Sequence, residues 1–278
     1  MTNLTIANLV HFYAKELKDI SSTPLLDVKI CLAHILKIST AELYLKDDDK
    51  LDASQQKDLS SLMQRRINGE PVAYLIGKKD FWDFTASVDK SVLVPRPETE
   101  VLVEYILSFY RKECFKTVLD IGTGSGVIAL SLARERDWSI TAIDISLDAL
   151  AIAKKNALKI GLEKKVKFYQ SDLFQNVDGK FDIIASNPPY IADDDPHLGS
   201  LQHEPALALI SPDQGYYHLY SIIDQAHNYL NQGGSIILEH GYLQGNLVRA
   251  RFTERGYKDI QTVKDYAGLD RITIAFLP

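Results

Sequence analysis

The chain reads as an α/β protein, a mostly parallel sheet with helices on both faces, preceded by a small helical bundle. Three observations predict this. Residues 4–70 carry only helical periodicity. From Glu98 onward short apolar runs alternate with helical patterns, the order of a sheet whose parallel strands are joined by helical crossovers. A glycine-rich turn, Asp120-Ile121-Gly122-Thr123-Gly124-Ser125-Gly126, lies where one apolar run passes into a helix.

In the first region Leu9, Phe12, Tyr13 and Leu17 recur at helical spacing. A second run from Leu25 to Leu36 follows Ser22-Thr23-Pro24, a start signal. Leu51 to Ile67 gives a third helix ended by Asn68-Gly69, so residues 1–70 are expected to form a bundle of about four helices that docks a substrate. Asp47-Asp48-Asp49 reads as a solvated loop. Residues 71–97 change character. Pro71, Gly77, Phe81, Trp82 and Phe84, then Val88 and Val92 to Val94, predict a β-hairpin linking two domains. Within 98–278, strands are expected near 117–121, 139–143, 166–170, 181–186, 234–239, 258–263 and 271–277. Helices are expected near 98–113, 126–135, 147–160, 215–231 and 242–255.

Composition bounds the function. The 278 residues suffice for one large domain or two modest ones, and 46% hydrophobic with 24% charged residues is ordinary for a globular protein. Net charge is −6: residues 1–90 hold 12 Lys and Arg against 13 Asp and Glu, the remainder 19 against 24. The acidic part is the part with the motifs, and a phosphate backbone calls for a basic face. Nucleic acid is therefore a disfavoured partner. Cys31 and Cys114 have no metal-ligand spacing, and two thiols make no disulfide framework, which fits a reducing, cytoplasmic setting. Cys114 is expected to be an inert buried thiol. The N-terminal residues lack a signal-peptide pattern, and no apolar run approaches membrane-spanning length. His197, His203, His218 and His240 show no metal spacing and read as surface or packing residues.

Two motifs carry chemistry. Asn187-Pro188-Pro189-Tyr190 follows the apolar run Phe181–Ser186. Two prolines cannot continue a ladder, so the strand ends at Asn187. An amide is thus presented at a strand's carboxyl end on a stiff turn, which suits gripping a flat hydrogen-bonding group and aiming its nitrogen. In the glycine turn, Gly122, Gly124 and Gly126 allow a sharp bend and close approach of a ligand, flanked by Thr123 and Ser125, and the helix start offers free N–H groups. The next strand ends at Asp144, 22 residues after Gly122, where a carboxylate can accept both hydroxyls of a ribose. Asp172 is placed to accept from an adenine amino group, or else to cap a turn, and Leu173 to cover the adenine face. The third glycine comes one residue early for a dinucleotide fingerprint, and Asp120 would repel a pyrophosphate. A cationic or zwitterionic ligand such as S-adenosylmethionine suits that carboxylate better.

With these residues the chain resembles the class I S-adenosylmethionine-dependent methyltransferases, and more narrowly the release factor glutamine methyltransferases, the HemK/PrmC family. The resemblance runs nearly full length through Pro71–Gly77 with Phe81-Trp82, Val94-Pro95-Arg96-Pro97-Glu98-Thr99-Glu100, Asn187–Ile191, Glu204–Leu209 and Gly268–Arg271. It implies a Rossmann-like domain with a mostly parallel sheet and an antiparallel last strand. It implies a cofactor site lined by Gly122 to Gly126, Asp144 and Leu173, and an Asn187 that touches both cofactor and substrate. Asn187 through Tyr190 would hold the glutamine of the Gly-Gly-Gln loop of class 1 peptide chain release factors. Separately from the resemblance, the chain is expected to act as a monomer and to hold no metal.

An amide nitrogen is a poor nucleophile. If the Asn187 oxygen and the Pro188 carbonyl accept its two N–H hydrogens, it is fixed and gains electron density as positive charge develops, while Tyr190 packs on the amide plane. Arg96 and Glu98 are expected to order the cofactor pocket or to pair with each other. The same tetrapeptide is shared with DNA adenine-N6 methyltransferases, since a flipped base also offers an amino group. That reading, and a non-catalytic module that keeps the fold and only docks a partner, stand as alternatives.

Overall fold

The computed structural model describes residues 4–278, which separate into two compact units with the division after Lys78. The first unit is helical: α1 (Ile6–Glu16), α2 (Pro24–Leu36), α3 (Thr40–Leu43), α4 (Ala53–Ile67) and α5 (Val72–Ile76). The helix starts follow from local chemistry. Thr5 caps α1, Pro24 opens α2, and Ser39 with Glu42 and Asp52 with Gln55 form reciprocal capping boxes. Leu9, Leu17, Val28, Leu32, Leu59 and Met63 form its core. Phe12, Leu25 and Leu26 share the helical pattern yet stay exposed. The Asp47–Asp49 run is exposed, with Asp49 paired to Lys46 at 3.0 Å.

The sequence places the first boundary at residue 70, but the unit continues to Lys78. Residues 72–76, read as part of a hairpin segment, form α5, and Leu75 packs into the core of the first unit. The hairpin is shorter, β1 (Lys78–Phe81) and β2 (Phe84–Ser87). Phe81, Phe84 and Ala86 are buried in a core of the second unit, so the hairpin is part of that unit's packing.

The second unit continues with α6 (Pro97–Phe109), β3 (Thr117–Ile121), α7 (Val127–Glu135), β4 (Ser139–Asp144), α8 (Leu147–Lys159), β5 (Val166–Gln170) and β6 (Phe181–Ser186). Then come α9 (Ala206–Leu209), the turn α10 (Pro212–Gly215), α11 (Tyr217–Ala226), β7 (Leu230–Glu239), α12 (Gly245–Glu254), β8 (Lys258–Lys264) and β9 (Asp270–Phe276). The seven-stranded sheet runs β5-β4-β3-β6-β7-β9-β8. Pairs from β5 to β7 are parallel, and β9 alone runs against its neighbours β7 and β8. Strand alternation sends Val118 and Ile183 into one buried layer and Leu119 and Ile184 into the other. Helices therefore cover both faces, as expected.

Two boundaries differ from the expectation. The segment 215–231 is not one helix: α11 stops at Ala226 and β7 begins at Leu230. The pairing of β6 with β7 is irregular between Leu230 and Ser235, where Gly233 and Gly234 sit, and glycines hide a strand from periodicity. Cys114 is exposed, because the chain past α6 runs over the surface; Cys31 is the buried thiol, pushed up to about 12 chiefly by burial.

Candidate active site

The strand order reverses beside β3, with β4 on one side and β6 on the other. Crevices at such switch points, outside the strands' carboxyl ends, are where ligands bind in open α/β sheets. A cavity enclosing about 1140 Å³, open mouth included, lies there. Its walls include Gly122 to Ser125 after β3, Asp144 at the end of β4, Asp172 and Leu173 after β5, and Asn187 to Pro189 after β6. Segments from outside the sheet complete it: Ser91 to Leu93, Pro95, Arg96 and Thr99, then Pro205, Leu207 and Ala208, and His218 and Ile222.

The glycine loop is built residue by residue. All three glycines have positive φ, at 69°, 55° and 86°. A Cβ on Gly122 or Gly124 would meet nothing within 4 Å, so these two leave open space beside the cavity. Gly126 serves differently. It caps α7 and does not line the cavity, and a Cβ there would stand 3.1 Å from the Ala153 Cβ. It lets α7 pack on α8. The buried Asn156 of α8 ties the loop down, donating to the Ser125 carbonyl at 2.9 Å while accepting from the Ser87 N–H at 2.7 Å.

Asp120 does not line the cavity. It is fully buried under the loop, where its Oδ2 accepts from the Thr123 hydroxyl at 2.6 Å and the Ala129 N–H at 3.3 Å. Its Oδ1 has no partner, and burial pushes the carboxyl up to about 7. Asp144 is the carboxylate at the wall. It accepts from the Gly124 N–H at 2.8 Å and the Ser146 N–H at 2.9 Å, one on each oxygen. Each oxygen keeps a further lone pair for a hydroxyl, while burial raises its affinity for a proton. Asp172 is exposed at the rim and accepts from the Gln175 side chain at 3.2 Å, and Leu173 is held at φ 46° beside it.

Asn187 closes the other side. Its Nδ2 donates to the Thr99 Oγ1 at 3.0 Å, so the carboxamide nitrogen is engaged and the oxygen is its free end. Behind it Ser186 donates to the Ile121 carbonyl at 2.7 Å, locking β6 to β3. Tyr190 lies outside the cavity walls. Its ring packs against the core beneath, its hydroxyl donates to Glu239 at 3.2 Å, and its carbonyl accepts from Gln244 at 3.1 Å. Gly215 comes so close that a Cβ would stand 2.3 Å from that carbonyl oxygen.

Family models match the two units in turn: the PrmC N-terminal domain over residues 8–77 and the methyltransferase small domain over residues 98–203. The release factor glutamine methyltransferase of Coxiella burnetii is 41% identical over 98% of this chain and 99% of its own. That of Salmonella typhimurium is 42% identical over 95% and 96%, and that of Escherichia coli 40% over 91% and 92%. The chain belongs to the release factor glutamine methyltransferase family. Among solved structures, a methyltransferase from Pyrococcus furiosus aligns with 78% of this chain and 98% of that one, with TM-score 0.56 and 21% identity. A Thermus thermophilus 16S rRNA N2 G1207 methyltransferase, solved with AdoMet and guanosine, aligns over 72% and 50%, with TM-score 0.54 and 19% identity. These two share the class I methyltransferase fold.

Sequence reasoning missed several wall and support residues in this family member. Arg96 does not pair with Glu98; it reaches Glu204 at 2.5 Å, and the same carboxylate accepts from the Val94 N–H at 2.9 Å. Both residues stand in segments that carry the family resemblance, but their pairing spans 108 positions and leaves no local trace. The sequence places His218 among surface or packing residues, and the structure does not. His218 lines the cavity, bonded to the Ser211 hydroxyl at 2.8 Å, with burial holding its ring below the ordinary value. Thr99 and Glu239 back the Asn187 turn, and nothing in their spacing announces it.

Proposed function

We infer that this methyltransferase of release-factor glutamine modifies N5, the side-chain amide nitrogen, of the glutamine in the Gly-Gly-Gln loop of class 1 peptide chain release factors. The single observation that carries the chemistry is the Asn187 carboxamide, held by its nitrogen on Thr99 with its oxygen left as an acceptor at the cavity wall. That arrangement receives an N–H and rejects an anion.

S-adenosylmethionine is the methyl donor, and the residues fit it. Gly122 and Gly124 leave space a side chain would fill, Asp144 keeps acceptor capacity for ribose hydroxyls, and Ile121, Ile145 and Leu173 offer apolar surface to a purine. Asp172 at the rim is placed for an exocyclic amine. Bound S-adenosylmethionine supplies an electrophilic methyl carbon on a sulfonium. The Asn187 oxygen and the Pro188 carbonyl would accept the two hydrogens of the glutamine amide, which aims its nitrogen and stabilises positive charge as the N–C bond forms; the methyl–sulfur bond breaks, S-adenosylhomocysteine leaves, and the nitrogen gives up one hydrogen as a proton to solvent. Pro189 stiffens the turn. Alignment of this kind is worth up to about 7–11 kcal/mol of barrier. Tyr190 supports the turn from below and does not pack on the amide plane.

A protein substrate is favoured over an adenine base by the acidic balance of the chain. The same reading makes the enzyme a cytoplasmic monomer without a direct nucleic-acid or membrane partner. Among the described residues no helix is long and apolar enough to cross a membrane. The helical first unit is assigned to docking the release factor. Mass spectrometry of a release factor after incubation with the protein and S-adenosylmethionine is expected to place one methyl on the loop glutamine. A methyl on another residue, or transfer only to DNA adenine, would defeat this reading. Asn187→Ala is expected to lower kcat by about 10²–10³ while cofactor affinity, measured by calorimetry, falls much less.

A further inference from the structure

Gln244 caps the start of α12; it is 8% exposed and absent from the cavity wall. Its carboxamide bonds to the main chain of three turns. Oε1 accepts from the Gly241 N–H at 2.8 Å, just after β7. Nε2 donates to the Tyr190 carbonyl at 3.1 Å and to the Gly215 carbonyl at 3.4 Å. Chemistry fixes the orientation, since an N–H needs an acceptor and a carbonyl needs a donor. Only one way round satisfies all three partners. The seat is shaped for this group. A Cβ on Gly215 would stand 3.0 Å from Nε2, and a Cβ on Gly241 would stand 3.0 Å from Oε1. Each glycine leaves the room that a side chain would take.

The Asn187–Tyr190 turn needs anchors from outside itself. Pro188 and Pro189 have no N–H, so no main-chain donor lies between Asn187 and Tyr190. The upstream end is held by Asn187 on Thr99 at 3.0 Å and by Ser186 on the Ile121 carbonyl at 2.7 Å. At the downstream end the Tyr190 hydroxyl reaches Glu239 at 3.2 Å, at the far tip of the side chain. Gln244 holds the main chain there, through the carbonyl. The chain just beyond lies along a second segment: the Ile191 N–H donates to the Leu209 carbonyl at 3.0 Å, and the Ser211 N–H to the Ile191 carbonyl at 2.8 Å. That segment then turns through Asp213 and Gln214 at φ 54° and 55°. Such left-handed residues persist only where their surroundings impose them. They bring Gly215 against Tyr190, and Gln244 bonds to the carbonyls of both.

We propose that Gln244 is a positioning residue for methyl transfer: by holding the Tyr190 carbonyl, it sets the downstream end of the Asn187–Tyr190 turn and thereby the place where the Pro188 carbonyl meets the glutamine amide. The ring of Pro189 locks its φ, so a shift at Tyr190 is passed back to the Pro188 carbonyl and is not absorbed between them. The proposal rests on the release-factor reading above and deepens it. It assigns Gln244 to the substrate side of the site, because none of its bonds reaches Gly122 to Ser125, Asp144 or Leu173.

The test uses the full chain with a release factor as substrate at about pH 8, where an ordinary carboxyl is ionised. It compares wild type with Gln244→Met, Gln244→Glu and Val248→Ala. Methionine fills the seat without hydrogen bonds. Glutamate keeps the shape and the Gly241 bond but replaces the donor with an acceptor facing two carbonyls. Val248, one turn on in α12 and fully buried, touches the core and not Tyr190, so its truncation loosens the helix alone. Misplacement by about 1 Å costs up to about 10²-fold. Both Gln244 variants are therefore expected to lower kcat about 10- to 100-fold, with cofactor affinity by calorimetry and KM for the release factor within about threefold of wild type. Val248→Ala is expected to lose melting temperature and keep its kcat per folded molecule. A crystal structure of Gln244→Met is expected to show the Tyr190 carbonyl displaced, with Asn187 still on Thr99. Near-wild-type kcat in either Gln244 variant would overturn the proposal, as would a loss of cofactor affinity as large as the loss of kcat. So would an equal loss of kcat in Val248→Ala, or an unmoved turn in the Gln244→Met crystal. Failure of the wild-type protein to methylate the release factor at all strikes the functional reading, not this one, because the position of the turn in the variant crystal still decides it.

Discussion

At the scale of single residues, the active centre depends on carboxylates that burial holds away from their ordinary state. Asp120 is the clearest. In the folded chain its proton stays on to about pH 7, whereas an ordinary Asp releases it near 3.8. The raised value means that the stability it contributes is fully present below the unfolded pKa and is lost as pH rises through 7. Asp120→Asn keeps an acceptor for the Thr123 hydroxyl and the Ala129 N–H and removes the charge. Its melting temperature is therefore expected to exceed that of wild type by a few degrees at pH 8, with the gap closing toward pH 4. Differential scanning calorimetry across that range checks it, and a gap that does not change with pH would disprove the assignment. Glu239 titrates in the same window, so Glu239→Gln is best measured side by side with Asp120→Asn.

Within elements, the turns at the carboxyl edge of the sheet matter most, and their glycines are not equivalent. Gly126 sets the distance between α7 and α8. A methyl at 3.1 Å from Ala153, at φ 86°, is expected to cost about 1–3 kcal/mol, read as a lower denaturant midpoint with cofactor affinity nearly kept in the folded fraction. Gly122→Ala is the converse case. Its Cβ meets open space beside the cavity, so cofactor affinity is expected to fall more than packing does, apart from the strain of its left-handed φ. Equal effects of the two substitutions on affinity and stability would contradict this division. Gly215 is the most constrained: a Cβ 2.3 Å from the Tyr190 carbonyl oxygen must displace the Asn-Pro-Pro-Tyr turn. Glu204 works across elements, joining the segment before α6 to the segment before α9 through Arg96 and the Val94 N–H.

For the whole molecule, the sheet unit holds every residue of the cavity wall, and the described residues of the helical unit hold none. The proposal that the helical unit docks the release factor draws on the size of a protein substrate and on apolar side chains left at its surface. Leu25 and Leu26 are each 50% exposed although their run is helical and otherwise core-forming. Leu25→Asp with Leu26→Asp is expected to raise KM for the release factor about tenfold, leaving kcat at saturation and cofactor affinity unchanged. A double variant with unaltered KM would remove these residues from the docking surface.

The sequence alone determined the fold class, the strand and helix order, and the cluster of Gly122, Asp144, Leu173 and Asn187, because each is a local signal: alternating periodicity, a glycine turn between strand and helix, and prolines that end a strand. It could not place the first boundary, since α5 is a five-residue helix whose assignment to the first unit shows only in Leu75 packing into the first core. It could not distinguish Asp120 from Asp144 as the carboxylate at the wall, nor Gly126 from Gly122 and Gly124 as a packing glycine. Those distinctions, like the bonds of Asn187 to Thr99 and of Tyr190 to Glu239, exist only where distant segments meet. Burial, and contact across 108 positions in the Arg96–Glu204 pair, are properties of the packed chain that residue spacing does not encode.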